Sequence, residues 1–493
     1  MNTGRDPDKP SPMGDTAEFQ RAVDRATRWI GDYLEHPELY PVLSKVAPGE
    51  IRDAFPSDPP AHGRRFDEIL DDFEKKIVPG ITHWNHPSFF GYFAITGSLP
   101  GILGELLAAA LNVNGMLWRT SPSLTELEGL TLDYLRKMIG LEGDFFGQIL
   151  DTASTSTLVA MAAARGALSD LDIRRRGMSG RSDLPPLVLY ESEEAHSSVD
   201  KAGIVLGIGT ENMRRVKTDE RFRMDPEALE AAIVRDERAG RRPFCVVATV
   251  GTTSTTSVDP VRSVAEVCAR HGLWLHVDAA YAWAAAVLPE KRHILDGCER
   301  ADSIVVNPHK WFFTPTDLSV LYCRHRDELK NAFTLVPEYL RSGEEADEPN
   351  LMDYGFQLGR RFRALKLWMV INYFGVEGIR RRIAEHIHLA QSFAAWIGRH
   401  PDFEIMAPVE FSTVCFRWRP GGRDPDQLDS LNDSLLSAVN GTGKAFLSHT
   451  KIRGRLSLRC AIGNLRTTDA HIEALERVLE TEAATVERKT RRD

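Results

Sequence analysis

The stretch FCVVATVGTTSTTSVDPVRSVAEVCARHGLWLHVD, residues 244–278, places two apolar runs on either side of an amphipathic one. The runs at 244–250 and 273–278 are short and rich in apolar and β-branched residues, which is typical of buried strands. Residues 261–272 repeat apolar side chains at helical spacing. A strand, a helix and a second strand in this order predict part of a mostly parallel sheet that is covered by helices.

The same alternation continues in both directions along the chain. The other segments that show it are a helix-like run LVAMAAARGAL (158–168) and two strand-like runs, PLVLYES (186–192) and DSIVVN (302–307). After a helix predicted at 361–373, the pattern indicates a further helix at 380–399 and strands at 412–417 and 455–462. We therefore predict an α/β fold, with a mostly parallel central sheet in a large domain and a smaller C-terminal α+β domain.

Length and pattern divide the chain into three predicted parts. Its 493 residues are too many for one ordinary core. We assign residues 1–98 to an N-terminal helical segment, 99–367 to the large domain and 368–493 to the small domain. The two helices predicted at 16–34 and 66–77 cannot make a core alone, so we expect them to pack on the large domain or on a second subunit.

Composition argues against several classes of protein. Hydrophobic residues make up 42% and charged residues 27% of the chain, as in globular proteins. Lys and Arg total 61 against 70 Asp and Glu, so the net charge of -9 gives no support for a nucleic acid partner. The six cysteines form no CxxC pair and the N-terminus lacks an apolar signal segment, so we expect a cytoplasmic protein. The most apolar window, 99–118, contains Glu105 and several glycines, which predicts a buried helix and no membrane span.

Polar residues follow three of the predicted strands. The first strand leads into residues 251–256, GTTSTT; the second ends at Asp278; and the third leads through Asn307 and His309 to Lys310. Ligands of such sheets bind in the loops after the carboxyl ends of the strands. We therefore expect the reactive groups of this protein at that edge.

A carboxylate at one strand end and a lysine 32 residues later suit pyridoxal phosphate. Asp278 would keep the pyridine nitrogen of this cofactor protonated, and Lys310 would bind its aldehyde as a Schiff base. The segment Thr152-Ala153-Ser154 opens an Ala-rich helix, where free amides and hydroxyls favour a phosphate group. Asn307 and His309 could complete the same cradle.

Each of these residues also has an ordinary structural interpretation. Asp278 could be a turn or capping residue, residues 152–154 could be a plain helix N-cap, and His196 could be a buried core histidine. His83 and His86 have no further ligands at a suitable spacing, so we predict no metal site. The joint occurrence of the polar groups at successive strand ends favours the cofactor site.

Several motifs then resemble the group II pyridoxal phosphate decarboxylases, specifically the aromatic L-amino acid decarboxylase family. The resemblance runs from about residue 67 to 462 and rests on six segments. They are THWNHPSFFGYF (82–93), SPSLTELE (121–128), AHSSV (195–199), HVDAAYA (276–282), NPHKW (307–311) and LGRRFRALKLW (358–368).

The resemblance implies a type I pyridoxal phosphate-dependent, aspartate aminotransferase-like fold and a homodimer with active sites at the subunit interface. It also implies roles for individual positions. Lys310 would carry the cofactor, Asp278 would pair with its pyridine nitrogen, His196 would stack on its ring and Thr253 would lie beside its phenolic oxygen. Ala153, Ser154 and Asn307 would bind its phosphate.

Tyr339 bears on the type of reaction. In the family a mobile loop brings a tyrosine over the site, and residues 335–349 here are polar and acidic, with a glycine and a proline. Relatives that convert their substrate to an aldehyde typically replace this tyrosine or the ring-stacking histidine. Both are present here, so the resemblance favours simple decarboxylation to an amine, in which Tyr339 or His196 protonates the substrate carbon. The alternatives are a decarboxylation-dependent aldehyde synthase and a non-catalytic family member that acts as a binding protein.

The resemblance also implies a substrate pocket, in which this chain departs from the family at several positions. The predicted pocket residues are Trp84, Tyr92, Phe93, Ile95, Asn114, Met116, Thr316 and Gly359. Ile95 stands where close relatives have a threonine near the substrate carboxylate, with Thr96 one residue further on. The aromatic residues and the space left by Gly359 are compatible with an indole. The sequence does not choose among tryptophan, tyrosine, dihydroxyphenylalanine, phenylalanine and histidine.

Overall fold

The computed structural model of the protein describes residues 14–93, 95–335 and 349–490. Two sheets organise this part of the chain. In chain order the strands are β1 (Phe89–Phe90), β2 (Phe146–Leu150), β3 (Leu187–Ser192), β4 (Met213–Val216), β5 (Arg242–Thr249), β6 (Trp274–Asp278), β7 (Ser303–Val306), β8 (Ser319–Cys323), β9 (Phe403–Ile405), β10 (Thr413–Trp418), β11 (Phe446–Ile452) and β12 (Arg455–Ala461).

Helices pack around both sheets. In chain order the α-helices are α1 (Thr16–Glu35), α2 (Glu50–Asp53), α3 (Phe66–Asp72), α4 (Leu99–Leu111), α5 (Pro122–Ile139), α6 (Ala153–Gly166), α7 (Ile173–Arg176), α8 (Ser198–Val205), α9 (Pro226–Arg238), α10 (Val261–His271), α11 (Pro308–Trp311), α12 (Arg326–Phe333), α13 (Arg363–Arg399), α14 (Pro425–Gly441) and α15 (Asp469–Thr490). None of the helices in the described ranges is long and apolar enough to cross a membrane.

The larger sheet has seven strands in the order β2-β8-β7-β6-β5-β3-β4. The pairs β4–β3, β3–β5, β5–β6 and β6–β7 are parallel, and β8 runs antiparallel to both of its neighbours. The opening stretch of the sequence forms β5, α10 and β6, as its pattern predicts. The prediction of a mostly parallel, helix-covered sheet is therefore confirmed.

The smaller sheet has five strands in the order β1-β11-β12-β10-β9. Strand β1 pairs with β11 in parallel, and the other pairs are antiparallel. Because β1 lies at Phe89–Phe90, the N-terminal segment contributes to this sheet as well as forming helices. The residues just after β1 therefore run between the two sheets.

Two helices can be compared in detail with the sequence prediction. Gly375, with φ 64° and ψ 171°, divides α13 into two helical runs, as the helices predicted at 361–373 and 380–399 require, and glycine adopts this conformation readily. Helix α4 ends at Leu111 because Asn112 takes a left-handed conformation. The prediction of a buried helix there was wrong for one face of this single chain, because five leucines of α4 are 40% to 59% exposed: Leu99, Leu103, Leu106, Leu107 and Leu111.

Candidate active site

The carboxyl ends of the parallel strands open on a cavity of about 290 Å³ between the two sheets. Residues from the loops of the large sheet, from the segments on both sides of β1 and from the small sheet line it together. The lining residues are Trp84, Tyr92, Phe93, Ile95, His196, Thr253, Ser254, Lys310, Ser448, His449, Thr450 and Arg459. The structure thus brings together residues after two of the three strand ends that the sequence singled out, Thr253 and Lys310, with His196, which the family resemblance adds.

Lys310 reaches the cavity from the short helix α11, which begins immediately after β7 and Asn307. Its Nζ lies 5.1 Å from the ring centroid of Phe93. Burial lowers the pKa of Lys310; Asp278 acts in the opposite direction, and Arg459 lowers the pKa further. A lysine in such surroundings exposes a neutral, nucleophilic amine more readily than a lysine in water.

Asp278 ends β6 and is 6% exposed. Its Oδ1 accepts a hydrogen bond of 3.0 Å from the backbone N–H of Ala280, which fixes the carboxylate. Its charge raises the pKa of both Lys310 and His196 against the effect of burial. Asp278 therefore lies close enough to both residues to form one electrostatic unit with them.

His196 lines the cavity from the loop between β3 and α8. Its Nδ1 lies 2.9 Å from Ser198 Oγ and 3.1 Å from the backbone nitrogen of Ser198, so the ring is held at the start of α8. Burial lowers the pKa of His196, and the charge of Lys310 lowers it further. The imidazole is therefore neutral at pH 7, and a flat neutral ring suits stacking on a planar ligand.

Thr253 is placed by a tight turn after β5. Gly251 in this turn has φ 92°, and a Cβ there would lie 2.5 Å from Cβ of Ala282. The backbone nitrogens of Gly251 and Thr252 both donate to the carbonyl of Ser257 at 2.9 Å. Because only glycine fits this close approach, the turn holds Thr253 at the cavity edge.

The predicted phosphate-binding residues lie at the same edge of the large sheet but do not line the cavity. Thr152 caps α6, and its Oγ1 accepts from the N–H of Thr155 at 3.4 Å. The first amides of a helix have no partner within the helix, so those of Ala153 and Ser154 can meet an anion. Asp151 places a carboxylate beside this helix start, with Oδ1 2.5 Å from the nitrogen of Thr152.

Asn307 and His309 contribute a second polar group at this edge. Asn307 is 1% exposed, and its Oδ1 has no hydrogen-bond partner among the described residues. Nδ1 of His309 accepts from the N–H of Leu318 at 2.9 Å, and burial lowers the pKa of this histidine to about 4. A buried polar atom without a partner is costly unless a ligand satisfies it. Together with the lysine amine and the carboxylate of Asp278, Asn307 fits a phosphorylated pyridine aldehyde.

Aromatic rings form the opposite wall of the cavity. Trp84 and Tyr92 stack with centroids 5.6 Å apart. Phe93 stacks on Tyr281 at 3.7 Å, and Tyr281 stacks on Trp311 at 5.0 Å. This column of rings fixes the face that Phe93 presents to Lys310.

Ile95, which stands where the family resemblance implies a threonine, also lies in the cavity in three dimensions. Ile95 lines the cavity, whereas Thr96 is buried and its Oγ1 donates to the carbonyl of Gly463 at 3.2 Å. Thr96 therefore does not replace the hydroxyl that the family resemblance places at position 95. The cavity has an aliphatic surface at this point.

The other four predicted pocket residues do not line this cavity in the single chain. Asn114 Oδ1 accepts from the N–H of Arg360 at 2.9 Å, and the carbonyl of Met116 accepts from the N–H of Met352 at 3.2 Å. Gly359 lies against Asn114, since a Cβ at Gly359 would be 3.9 Å from Asn114 Nδ2. Asn114, Met116 and Gly359 thus lie together, outside the cavity that contains Lys310. Thr316 does not line that cavity either.

Arg459 is the most important cavity residue that the sequence analysis missed. It is 3% exposed, its Nε donates to the carbonyl of Ser254 at 3.2 Å, and its Nη1 donates to the carbonyl of Tyr92. Its guanidinium lies 4.4 Å from the Phe93 centroid, and its Nη2 has no partner among the described residues. An arginine between Leu458 and Cys460 in a predicted strand was a usable signal for a buried charge with a function.

The small sheet and the turn after β5 supply the remaining residues that were missed, Ser254, Ser448, His449 and Thr450. Ser254 Oγ lies 2.8 Å from Thr450 Oγ1, and Ser448 Oγ accepts from the N–H of Tyr92 at 3.1 Å. These bonds join the small sheet to the turn after β5 and to the segment after β1. Ser254 belongs to the polar loop 251–256 that the sequence indicates, whereas no local sequence signal marks Ser448, His449 and Thr450. Tyr339, the predicted loop residue, lies outside the described residues.

Comparison with known proteins places these features in a family. Residues 48–419 match the family model described as the pyridoxal-dependent decarboxylase conserved domain. Among curated proteins, the chain is 41% identical over 468 residues to a phenylacetaldehyde synthase of Arabidopsis thaliana, covering 92% of this chain and 94% of that protein. It is 42% identical over 470 residues to tyrosine decarboxylase 2 of the same plant, covering 92% and 85%.

Solved structures agree with the sequence comparison. The crystal structure of Oryza sativa TDC with PLP and tryptamine matches with a TM-score of 0.92 and 36% identity. The match covers 97% of this chain and 99% of the rice protein. The predicted type I fold is thereby confirmed, and the rice protein holds the cofactor that the strand-end residues predict.

Proposed function

The chain belongs to the pyridoxal-dependent decarboxylase family and is a carboxy-lyase that uses pyridoxal 5'-phosphate, and we propose that its substrate is an aromatic L-amino acid. The products would be the corresponding amine and carbon dioxide. One observation carries the choice of substrate class: Trp84, Tyr92 and Phe93 form an aromatic wall that faces Lys310 across the cavity. Aromatic side chains bind well against such walls through offset stacking.

We assign the cofactor to residues at the strand ends of the large sheet. Lys310 would bind its aldehyde and Asp278 its pyridine nitrogen, with His196 against the ring and Thr253 beside the phenolic oxygen. The phosphate would meet residues at the start of α6 and around α11, namely Thr152, Ala153, Ser154, Asn307 and His309. When bound, this cofactor supplies an electron sink for the electron pair that remains when the bond to the carboxylate breaks.

The residues of the chain then orient the substrate and move protons. Burial keeps the Lys310 amine and the His196 ring in their neutral forms more readily than water does. The unpartnered Nη2 of Arg459 would orient the substrate carboxylate, while Ile95 excludes water from it. Tyr339, or His196 acting through it, would protonate the carbon that loses the carboxylate.

The aldehyde synthase is the second candidate function. A phenylacetaldehyde synthase is 41% identical to this chain, so overall similarity does not separate the two reactions. The sequence retains both residues that the family resemblance connects with simple decarboxylation, His196 and Tyr339. These two residues favour the amine as the product.

We also propose that the protein acts as a homodimer in the cytoplasm. Five exposed leucines on α4 form an apolar face of a size that single chains seldom leave in water. Asn114, Met116 and Gly359, which lie outside the cavity of their own chain, could then complete the pocket of the partner subunit. All six cysteines are unpaired and buried, which suits a reducing compartment.

One assay tests the reaction and the substrate class together. The purified protein is incubated with each L-amino acid, and carbon dioxide, amine and hydrogen peroxide are measured in the same sample. We expect amine in a 1:1 ratio to carbon dioxide with an aromatic substrate, and no peroxide. Peroxide and aldehyde that match the carbon dioxide would assign the aldehyde synthase reaction, and turnover confined to non-aromatic substrates would refute the proposed substrate class.

A further inference from the structure

Glu191 is a carboxyl group with an unusual environment beside the active site. It is the penultimate residue of β3 and is 0% exposed. Neither of its carboxylate oxygens has a hydrogen-bond donor among the described residues. Burying an ionised carboxylate without hydrogen-bond donors costs free energy, so an unsatisfied group of this kind calls for a structural or functional explanation.

The opposite face of the same two strands shows the ordinary arrangement. There the buried carboxylate of Asp236 accepts from Tyr190 Oη at 3.0 Å and from Nε and Nη2 of Arg214, both at 2.8 Å. The pKa of Asp236 is lowered, because these hydrogen bonds outweigh its burial. Asp236 is therefore an ionised, fully supported carboxylate, and Glu191 is not.

Arg215 is the residue that could support Glu191, but it is directed elsewhere. It pairs with Glu191 in the register between β3 and β4, and its Nε lies 3.4 Å from Glu191 Oε1. Its Nη2 instead donates to both carboxylate oxygens of Asp200 on α8, at 2.6 Å each. The guanidinium of Arg215 thus lies between two carboxyl groups, and its short hydrogen bonds go to Asp200.

Glu191 therefore keeps its proton at neutral pH. Burial raises the pKa of Glu191 to about 8; Arg215 acts against this, and the charge of Asp200 adds to it. Among the described residues, Arg215 on β4 and Asp200 on α8 are the charged groups that act on it. Its strand partner on β5 is the apolar Val247. The protonated carboxyl can donate to Asp200, whereas the ionised one repels it.

Asp200 connects this group to the active site. It lies in the first turn of α8, two residues after Ser198, which holds Nδ1 of His196. Its negative charge also raises the pKa of His196, so the two residues interact electrostatically. A change in the contacts of Asp200 therefore reaches the ring that we assign to the cofactor.

We propose that Glu191, Arg215 and Asp200 form a proton-sensitive triad in which loss of the Glu191 proton draws Arg215 from Asp200 and loosens the helix start that holds His196. The protonated triad keeps His196 in place, and the ionised triad sets an alkaline limit to the reaction. Glu191 is thus a positioning residue that acts through Asp200. Only the link to the reaction rests on the proposed role of His196; the proton exchange of Glu191 does not.

The main test replaces Glu191 by glutamine in the holoenzyme. Glutamine keeps the shape of the side chain and a donor toward Asp200, but it cannot ionise. We expect the kcat/KM of the unmodified enzyme to decline around pH 8, and we expect Glu191→Gln to retain kcat/KM at pH 7 within about twofold and to lose that decline. Asp236→Asn, on the opposite face of the same strands, is the matched control and should leave the position of that decline unchanged.

Two further variants should move the pKa of Glu191 in opposite directions. Asp200→Asn removes a negative charge and releases Arg215, so the pKa of Glu191 should fall, and Arg215→Gln removes a positive charge, so the pKa should rise. The pH at which the Tm difference between each variant and its double variant with Glu191→Gln levels off measures these shifts. Neither variant should retain the alkaline decline, because the contact between Arg215 and Asp200 that ionised Glu191 would break is already absent; a purely structural role of the triad would leave the decline in place in both.

Thermal unfolding of the holoenzyme provides a readout that is independent of activity. Between pH 4.5 and 8 the unfolded chain has lost the Glu191 proton while the folded chain retains it, so Glu191 destabilises the fold progressively as pH rises. The Tm of Glu191→Gln minus that of the unmodified protein should therefore grow from pH 5 to pH 8 and then level off. A constant difference, or an unchanged alkaline decline in Glu191→Gln, would overturn the proposal. If no aromatic amino acid is a substrate, the Tm series still decides whether Glu191 exchanges its proton in this range.

Discussion

The two walls of the cavity are built in different ways. The strand-end wall consists of single polar residues that follow parallel strands of one sheet: His196, Thr253 and Lys310, with Asp278 at the end of the intervening strand β6. The other wall consists of rings and strand residues that come from the segments on both sides of β1 and from the small sheet: Trp84, Tyr92, Phe93, Ile95, Ser448, His449, Thr450 and Arg459.

This difference assigns separate tasks to the two walls: we expect one to carry the reactive groups and the other to bind the substrate side chain. The strand ends belong to the large sheet, so the reactive groups keep their positions as long as that sheet folds. The aromatic wall forms only when the small sheet, the N-terminal segment and the large sheet are packed together. Substitutions on the strand-end wall should therefore abolish chemistry, and those on the aromatic wall should change affinity and specificity.

The largest effect is expected for Lys310→Ala, which removes the amine from the strand-end wall. Decarboxylation should fall by roughly 10³-fold or more, since no second lysine amine is among the described residues that line the cavity. The visible absorbance of the lysine-bound cofactor should disappear as well. Lys291→Ala serves as the control, because Lys291 does not line the cavity and its Nζ lies 5.7 Å from the ring centroid of Phe411. Decarboxylation that survives in Lys310→Ala would exclude Lys310 as the cofactor-binding residue.

Asp278→Asn should have the second-largest effect on the same wall. The amide keeps the shape of the side chain but removes its charge, so kcat should fall by roughly 10²-fold, as when one preorganised electrostatic group is lost. Single-turnover kinetics and cofactor content separate this loss from weaker cofactor binding. Asp302→Asn lies at the other end of the sheet, where Asp302 contacts His325, and should leave kcat nearly unchanged. A full kcat in Asp278→Asn would contradict the electrostatic role.

Trp84→Ala tests the opposite wall. Loss of a large ring from the cavity should raise KM for an aromatic substrate about tenfold, with a smaller change in kcat, because the ring contributes binding and no proton transfer. Smaller substrates should lose less affinity than tryptophan. An unchanged KM together with a large fall in kcat would show that the division between the two walls is wrong.

The smallest effect is expected for the thermal stability of the protein at acid pH, to which three buried histidines contribute. Burial lowers the pKa of His86, His276 and His386 to about 4 in each case. These groups are neutral in the folded chain and ionise near pH 6.5 when unfolded, so their contribution is complete above pH 6.5 and is lost as pH falls toward 4. Tm should therefore fall over this range, and His276→Gln should show a shallower fall. A steeper fall in His276→Gln would contradict the assigned sign.

Parts of the fold and of the site follow from local sequence. The strands that lead to Asp278 and Lys310 were predictable because buried parallel strands are continuous apolar runs and their ends are marked by polar residues. The two helices predicted after residue 361 are present on either side of Gly375, whose non-helical geometry separates them. The role of Arg459 was missed because an arginine in a strand shows neither what surrounds it nor which of its atoms lack partners.

The exposure of one face of α4 likewise depends on contacts that the local sequence does not show. Its leucines repeat at helical spacing, and the sequence predicts correctly that they need to be covered. The sequence does not say whether the cover comes from the same chain or from another one. In this chain the buried side of α4 consists of Pro100, Gly101 and Gly104, and the leucines remain exposed.

The sequence by itself determined the α/β class, the mostly parallel sheet and the choice of Lys310 and Asp278, because strand patterns and strand-end residues are local properties. Only the tertiary structure decided that Arg459 meets Phe93, that Ile95 rather than Thr96 reaches the cavity, and that Glu191 is buried without donors. Those outcomes depend on contacts between residues far apart in the chain. Burial and the partners of a charge exist only after the sheets have packed together.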